Sequence, residues 1–145
     1  MNNINTLKNR ELVTLAQRIV RRAVAEKRPV SYSPLCDEIL ATRPMHFYVS
    51  YDRASKILHR IERTGVENIA LSGSSRGMWI DLYGQVRNIM EARPRLNFSQ
   101  ALTQALYFAR PMRLYMTKDA LYRLLKKNFS SMLVPEVRQD FRNYC

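Results

Sequence analysis

Two stretches of this chain repeat each other, and that duplication constrains the fold more than any other feature. Residues 43–58 read RPMHFYVSYDRASKIL and residues 110–125 read RPMRLYMTKDALYRLL. Six of the 16 aligned positions are identical: Arg43/Arg110, Pro44/Pro111, Met45/Met112, Tyr48/Tyr115, Asp52/Asp119 and Leu58/Leu125. Upstream, with a two-residue difference in length, Arg22, Val24, Glu26, Arg28 and Pro29 face Arg87, Ile89, Glu91, Arg93 and Pro94. A match over a whole supersecondary unit marks an internal repeat, whose copies are expected to fold alike.

Each copy reads as helix, short helix, extended connector, helix. In the first copy Leu12, Leu15, Ala16, Ile19, Ala23 and Val24 recur at helical spacing to about residue 25, and Pro29 stops the run. Ser33-Pro34 reads as a helix start, with Leu35, Ile39 and Leu40 inward, ended by Arg43-Pro44. Met45–Val49 reads as extended. Ser50 is a second N-cap, Asp52 sits in the first turn where the helix dipole favours a carboxylate, and Ala54, Ile57, Leu58 and Ile61 form the buried stripe before Gly65. In the second copy Trp79–Met90 is the first helix. Ser99 is expected to cap a helix over 100–109 and Thr117 one over 118–128, with Leu121, Leu124 and Leu125 inward. Residues 66–78, rich in Gly and Ser and without helical period, read as a linker, and Pro135 opens a short helix carrying Val137, Phe141 and Tyr144.

Charge narrows the partners. Over 145 residues there are 24 Lys and Arg against 12 Asp and Glu, a formal +12. Arginine supplies 18 of the 24, and a guanidinium can fork onto phosphate or a guanine edge with two parallel hydrogen bonds. The excess is spread along the chain, so the body is basic and there is no basic tail. Basic surfaces also suit anionic membranes or acidic proteins, so charge alone does not choose the partner. No apolar run approaches the roughly 20 residues a membrane span needs, and the N-terminus lacks the order of a signal peptide, so a cytoplasmic protein with no membrane partner is expected. Cys36 and Cys145 carry no disulfide-framework pattern; they read as a small core residue and a free terminal thiol.

The third helix of each copy is the candidate contact surface. With its apolar stripe inward, the first leaves Tyr51, Arg53, Ser55, Lys56, His59, Arg60 and Arg63 outward. The second leaves Lys118, Tyr122, Arg123, Lys126 and Lys127. Such a helix can enter a major groove, its first residues meeting base edges and its later ones phosphates. A solvated outer face is the plain alternative. Arg43, Arg110 and Arg113, on the connectors, are candidate phosphate clamps, beside a structural role for the connector's apolar residues.

The segments Pro44, Phe47, Tyr48, Val49, Ser50 and Pro111, Arg113, Leu114, Tyr115, Met116, Thr117 follow a short helix and precede a helix with an early acidic residue. This pattern resembles short helix-turn-helix-like proteins of bacterial mobile elements, which carry a Pro-x-Arg-Phe-Tyr-Val-Ser-type motif. The resemblance covers about 30 residues of each copy and implies DNA binding. The connector departs from it, being about eight residues where that motif uses 3–4. The expected class is all-α: two tandem three-helix, helix-turn-helix-like repeats packed together, at 1–65 and 79–128, with a linker at 66–78 and a C-terminal helix or tail at 129–145. The expected function is a DNA-binding regulatory or accessory protein. Duplex DNA is the first partner, and RNA and a homo-oligomer stay open. The alternative is a protein-interaction or assembly module of a phage or plasmid.

No enzyme, cofactor or metal is expected. His46 and His59 have no histidine counterparts in the second copy, where Arg113 and Lys126 stand. Ser72-Gly73-Ser74-Ser75 lacks the Gly-Lys-Ser/Thr ending of a phosphate loop. Helix capping explains Asp52 and Asp119 more simply than acid–base work.

Overall fold

The computed structural model describes residues 3–68 and 73–128. Within them the chain is all-helical: α1 (Asn3–Ala25), α2 (Tyr32–Leu40), α3 (Tyr51–Thr64), a 3-10 turn (Val66–Asn68), α4 (Gly73–Ala92), α5 (Phe98–Phe108) and α6 (Lys118–Asn128). The expected helix after Pro135, with Val137, Phe141 and Tyr144, lies outside the described residues, as does Cys145.

Local chemistry sets several of these boundaries as expected. Ser50 accepts a hydrogen bond from the Arg53 amide at 3.3 Å, and Gly65, at φ +83°, closes α3 by donating to the Ile61 carbonyl at 2.8 Å. Thr117 Oγ1 likewise accepts from the Ala120 amide at 3.1 Å. α1 ends at Ala25, ahead of Pro29. Lys27 takes the left-handed conformation at φ +55° and the Arg28 amide reaches back to the Ala23 carbonyl at 2.8 Å.

Other boundaries differ. α2 begins at Tyr32 after an extended Ser31, so Ser33 lies inside the helix and does not cap it. α5 begins at Phe98, capped by Asn97, whose side chain accepts from the Gln100 amide at 2.8 Å while Gln100 Oε1 accepts from the Asn97 amide at 3.0 Å. Ser99 is therefore no cap either. Of the expected linker at 66–78, residues 66–68 and 73–78 are helical, since α4 starts at Gly73, six residues before Trp79. Weak helix formers carry that extension because it is packed. Met78 lies against a buried cluster, and a Cβ on Gly77 would stand 3.1 Å from the Tyr115 ring. Gly77 is a place of close approach, where a chain break was expected.

The contacts divide the chain into two compact units, Met1–Thr42 with Met116–Cys145, and Arg43–Tyr115. In the first, α1, α2 and α6 pack on one another; in the second, α3 packs on α4 and α5, which pack together. The third helix of each sequence copy thus rests on the first two helices of the other copy. The contiguous grouping expected, 1–65 and 79–128, is not how the helices pack. Both third helices carry an apolar stripe at helical spacing, which declares the buried face of each without saying which pair of helices will cover it.

The first unit buries Leu12, Val13, Ala16, Ile19, Val20 and Ala23 of α1, Tyr32, Leu35, Cys36 and Ile39 of α2, and Leu121 and Leu125 of α6. Leu15, Val24, Leu40 and Leu124, expected inward, are only half-buried. The second unit buries Ala54, Ile57, Leu58 and Ile61 of α3 with Phe47, Val49, Trp79, Leu82, Val86, Ala101, Leu102 and Ala105. Cys36 is free and fully buried, and burial pushes its thiol pKa up, so it stays a protonated core residue. No helix among the described residues is long and apolar enough to cross a membrane.

Candidate nucleic-acid interface

Burying the Ala54–Ile57–Leu58–Ile61 stripe fixes the rotation of α3 and turns its basic residues outward. Lys56, Arg60 and Arg63 are exposed, and their side chains make no hydrogen bond or ion pair among the described residues. Arg53 is also exposed, its guanidinium 5.9 Å from the centroid of Trp79 of α4. His59 Nδ1 lies 2.7 Å from the Ser55 carbonyl, and its ring sits 4.5 Å from that of Phe98. On α6, Lys127 is exposed and equally without a partner among the described residues. Arg123 pairs with Asp119 one turn back, and Lys126 lies 5.5 Å above the Tyr122 ring. Tyr122 itself meets Tyr32 edge-on at 5.1 Å.

The first residue of each third helix is occupied by packing. The Tyr51 hydroxyl and Ser99 Oγ are 2.6 Å apart. Lys118 Nζ donates to Ser33 Oγ at 2.8 Å and pairs with Asp37 at 3.0 Å. Ser33 and Ser99, each the second residue of its helix, receive equivalent helix starts from the opposite copy. Both serines were expected as caps, and this long-range contact is what they make.

The connector arginines are engaged too. Arg43 donates from Nε to the Pro111 carbonyl at 2.9 Å and from Nη2 to the Arg110 carbonyl at 3.0 Å. Arg110 returns the pair, from Nε to the Pro44 carbonyl at 3.1 Å and from Nη2 to the Arg43 carbonyl at 2.7 Å. Two equivalent Arg-Pro dipeptides thus clasp each other reciprocally, which explains why both copies carry them. The identity seen in the sequence marks this clasp. Arg113, the third connector arginine, is exposed and lies 5.6 Å from the Tyr115 ring.

An acceptor hub that no short-range signal announces holds the second connector. Asp81 of α4 accepts from Gln85 Nε2 at 2.8 Å, from the Met112 amide at 2.7 Å and from the Tyr115 hydroxyl at 2.8 Å. Burial first, then the hydrogen bond to Asp81 and its charge, push the Tyr115 pKa from 10.0 up to about 12. A phenol with a raised folded-state pKa stabilises the fold fully below pH 10.0 and loses that contribution as pH rises towards about 12. Phenolate absorbance in an alkaline titration should therefore show a component near pH 12 that vanishes in Tyr115→Phe. Its persistence in that variant would refute the assignment.

Among the described residues no group of His, Cys, Asp and Glu is placed to hold a metal ion. Comparison with protein-family models, curated proteins and solved structures finds no match to this chain.

Proposed function

We propose that this chain is a DNA-binding regulatory or accessory protein of a bacterial mobile element, acting in the cytoplasm and touching duplex DNA through α3 and α6. The observation that carries this reading is the outward row Lys56, Arg60 and Arg63 on α3, with Lys127 on α6: cations exposed and without partners among the described residues. Each unit pairs a short helix with a capped basic helix, α5 with α3 and α2 with α6. On this reading each pair is a helix-turn-helix-like reader assembled from both copies, and the eight-residue connector serves the exchange of helices. Arg43 and Arg110 act by holding the connectors, and Lys56, Arg60, Arg63 and Lys127 carry the phosphate contacts.

Titration of labelled duplex DNA tests it. Affinity should fall by about 10²-fold between about 50 and 200 mM salt, as expected for roughly four phosphate contacts. Replacing Lys56, Arg60 and Lys127 together by Ala should flatten the log–log salt slope by about three. Binding that ignores salt, or no binding at low salt, rejects the proposal.

A protein-interaction role is the second reading. It is favoured by Tyr107 and Phe108, which end α5 with 70% and 80% of their surface exposed.

A further inference from the structure

The α4–α5 hairpin carries a groove of about 250 Å³ whose floor is Ile89, Ala92 and Ala109. Its walls bear the carboxamides of Gln85, Asn88 and Gln104 together with Arg93, and no acidic side chain is among its lining residues. Arg93 Nη1 spans the two helices to Gln104 Oε1 at 3.2 Å, leaving the Gln104 amide nitrogen for a ligand. Asn88 is exposed and its side chain is unpartnered among the described residues. One helical turn beyond Gln104 stand Tyr107 and Phe108, two exposed rings 6.3 Å apart. Arg93 and Arg95 are both exposed in the segment joining the two helices.

Large aromatic rings left in water cost hydrophobic free energy. Tyr107 and Phe108 do not line the groove, but they stand one helical turn from Gln104 in its wall. With the unopposed guanidinium groups they call for a ligand both flat and anionic that runs on from the groove. Unpaired nucleotides meet each requirement: a base stacks on a ring, its edge meets carboxamides, and its phosphate meets arginine. A polyglutamate peptide would answer the charge but offers no ring to stack on Tyr107 or Phe108. We propose that this groove binds single-stranded nucleic acid, with a base stacked on Tyr107 or Phe108, its edge read by Asn88 and Gln104, and the backbone held by Arg93 and Arg95. The site lies wholly within the α4–α5 hairpin and does not depend on the duplex reading.

Fluorescence anisotropy of the full chain with labelled unstructured oligo-dT, oligo-U, a duplex and a polyglutamate peptide tests it. The single strands should bind, and the DNA and RNA arms show which sugar is preferred. The double variant Tyr107→Ala/Phe108→Ala, confined to exposed side chains, should weaken single-strand binding at least about tenfold, as loss of one stacked base does, and leave duplex affinity unchanged. Arg93→Glu should weaken the same binding and reduce its salt dependence, while Phe108→Trp should retain it. Replacing Lys56, Arg60 and Lys127 should act on the duplex alone. If neither single strand binds, if polyglutamate binds as tightly, or if the aromatic variant leaves single-strand affinity intact, the proposal fails. Single-strand binding with no duplex binding would sustain this site and reject the duplex reading.

Discussion

Leu58→Ala is expected to lower the unfolding free energy by about 2–5 kcal/mol and to strip hydrogen-exchange protection from α4 and α5, with α1 and α2 left protected. Leu58 is fully buried in the cluster that holds Trp79, Leu82, Val86 and Leu102. Its equivalent, Leu125, is fully buried on α6, which packs on α1 and α2. Leu125→Ala should therefore cost about as much and release α1 and α2. The pair of variants reads out the exchange of third helices directly. If each helix rested on its own copy, Leu58→Ala would expose α1 and α2, and that pattern of exchange would overturn the arrangement described above. Urea titration gives the magnitude and exchange mass spectrometry the location.

Asp81→Ala is expected to destabilise by about 3 kcal/mol. The half-buried carboxylate takes three donors, from Gln85, Met112 and Tyr115. Its removal takes this acceptor from the Met112 amide and the Tyr115 hydroxyl, while Gln85 keeps its second acceptor, the Arg110 carbonyl at 2.8 Å. Hydrogen bonds to a charged acceptor contribute about 1.5–3 kcal/mol each, and partial solvation of the site keeps the total below their sum. Asp81→Asn should recover only part of the loss, because its NH₂ group meets donors where a carboxylate oxygen met them. Tyr115→Phe removes one of the three bonds and should cost about 1–2 kcal/mol. Thermal unfolding of the three variants checks the ranking. A stability for Asp81→Ala within 0.5 kcal/mol of the parent, roughly the scatter of neutral surface changes, would contradict the hub.

Third-helix chemistry was legible from residue order because it is local. A serine or threonine at the N-cap acts on an amide three residues on, and an apolar stripe at helical spacing declares the buried face. Ser50, Thr117 and the inward set Ala54, Ile57, Leu58 and Ile61 all stand where that logic puts them. The same logic misplaced Ser33 and Ser99, whose partners, Lys118 and Tyr51, lie 85 and 48 residues away. It also took Gly77 for a chain break, although its lack of a side chain makes room for the ring of Tyr115. Asp81 gave no signal, because its donors Met112 and Tyr115 lie 31 and 34 residues away, and the groove between α4 and α5 gave none, since it is lined by both arms of a hairpin.

By itself the residue order determined a duplicated, basic, helical chain, because helical periodicity, capping and charge are properties of neighbours along the backbone. Tertiary structure alone decided which helices share a core, because an apolar stripe shows which face of a helix is buried and not which helices bury it. It also decided the role of the repeated Arg-Pro dipeptides. Their guanidinium groups look like phosphate ligands in a sequence, and in the fold each grips the other's backbone carbonyls at 2.7–3.1 Å.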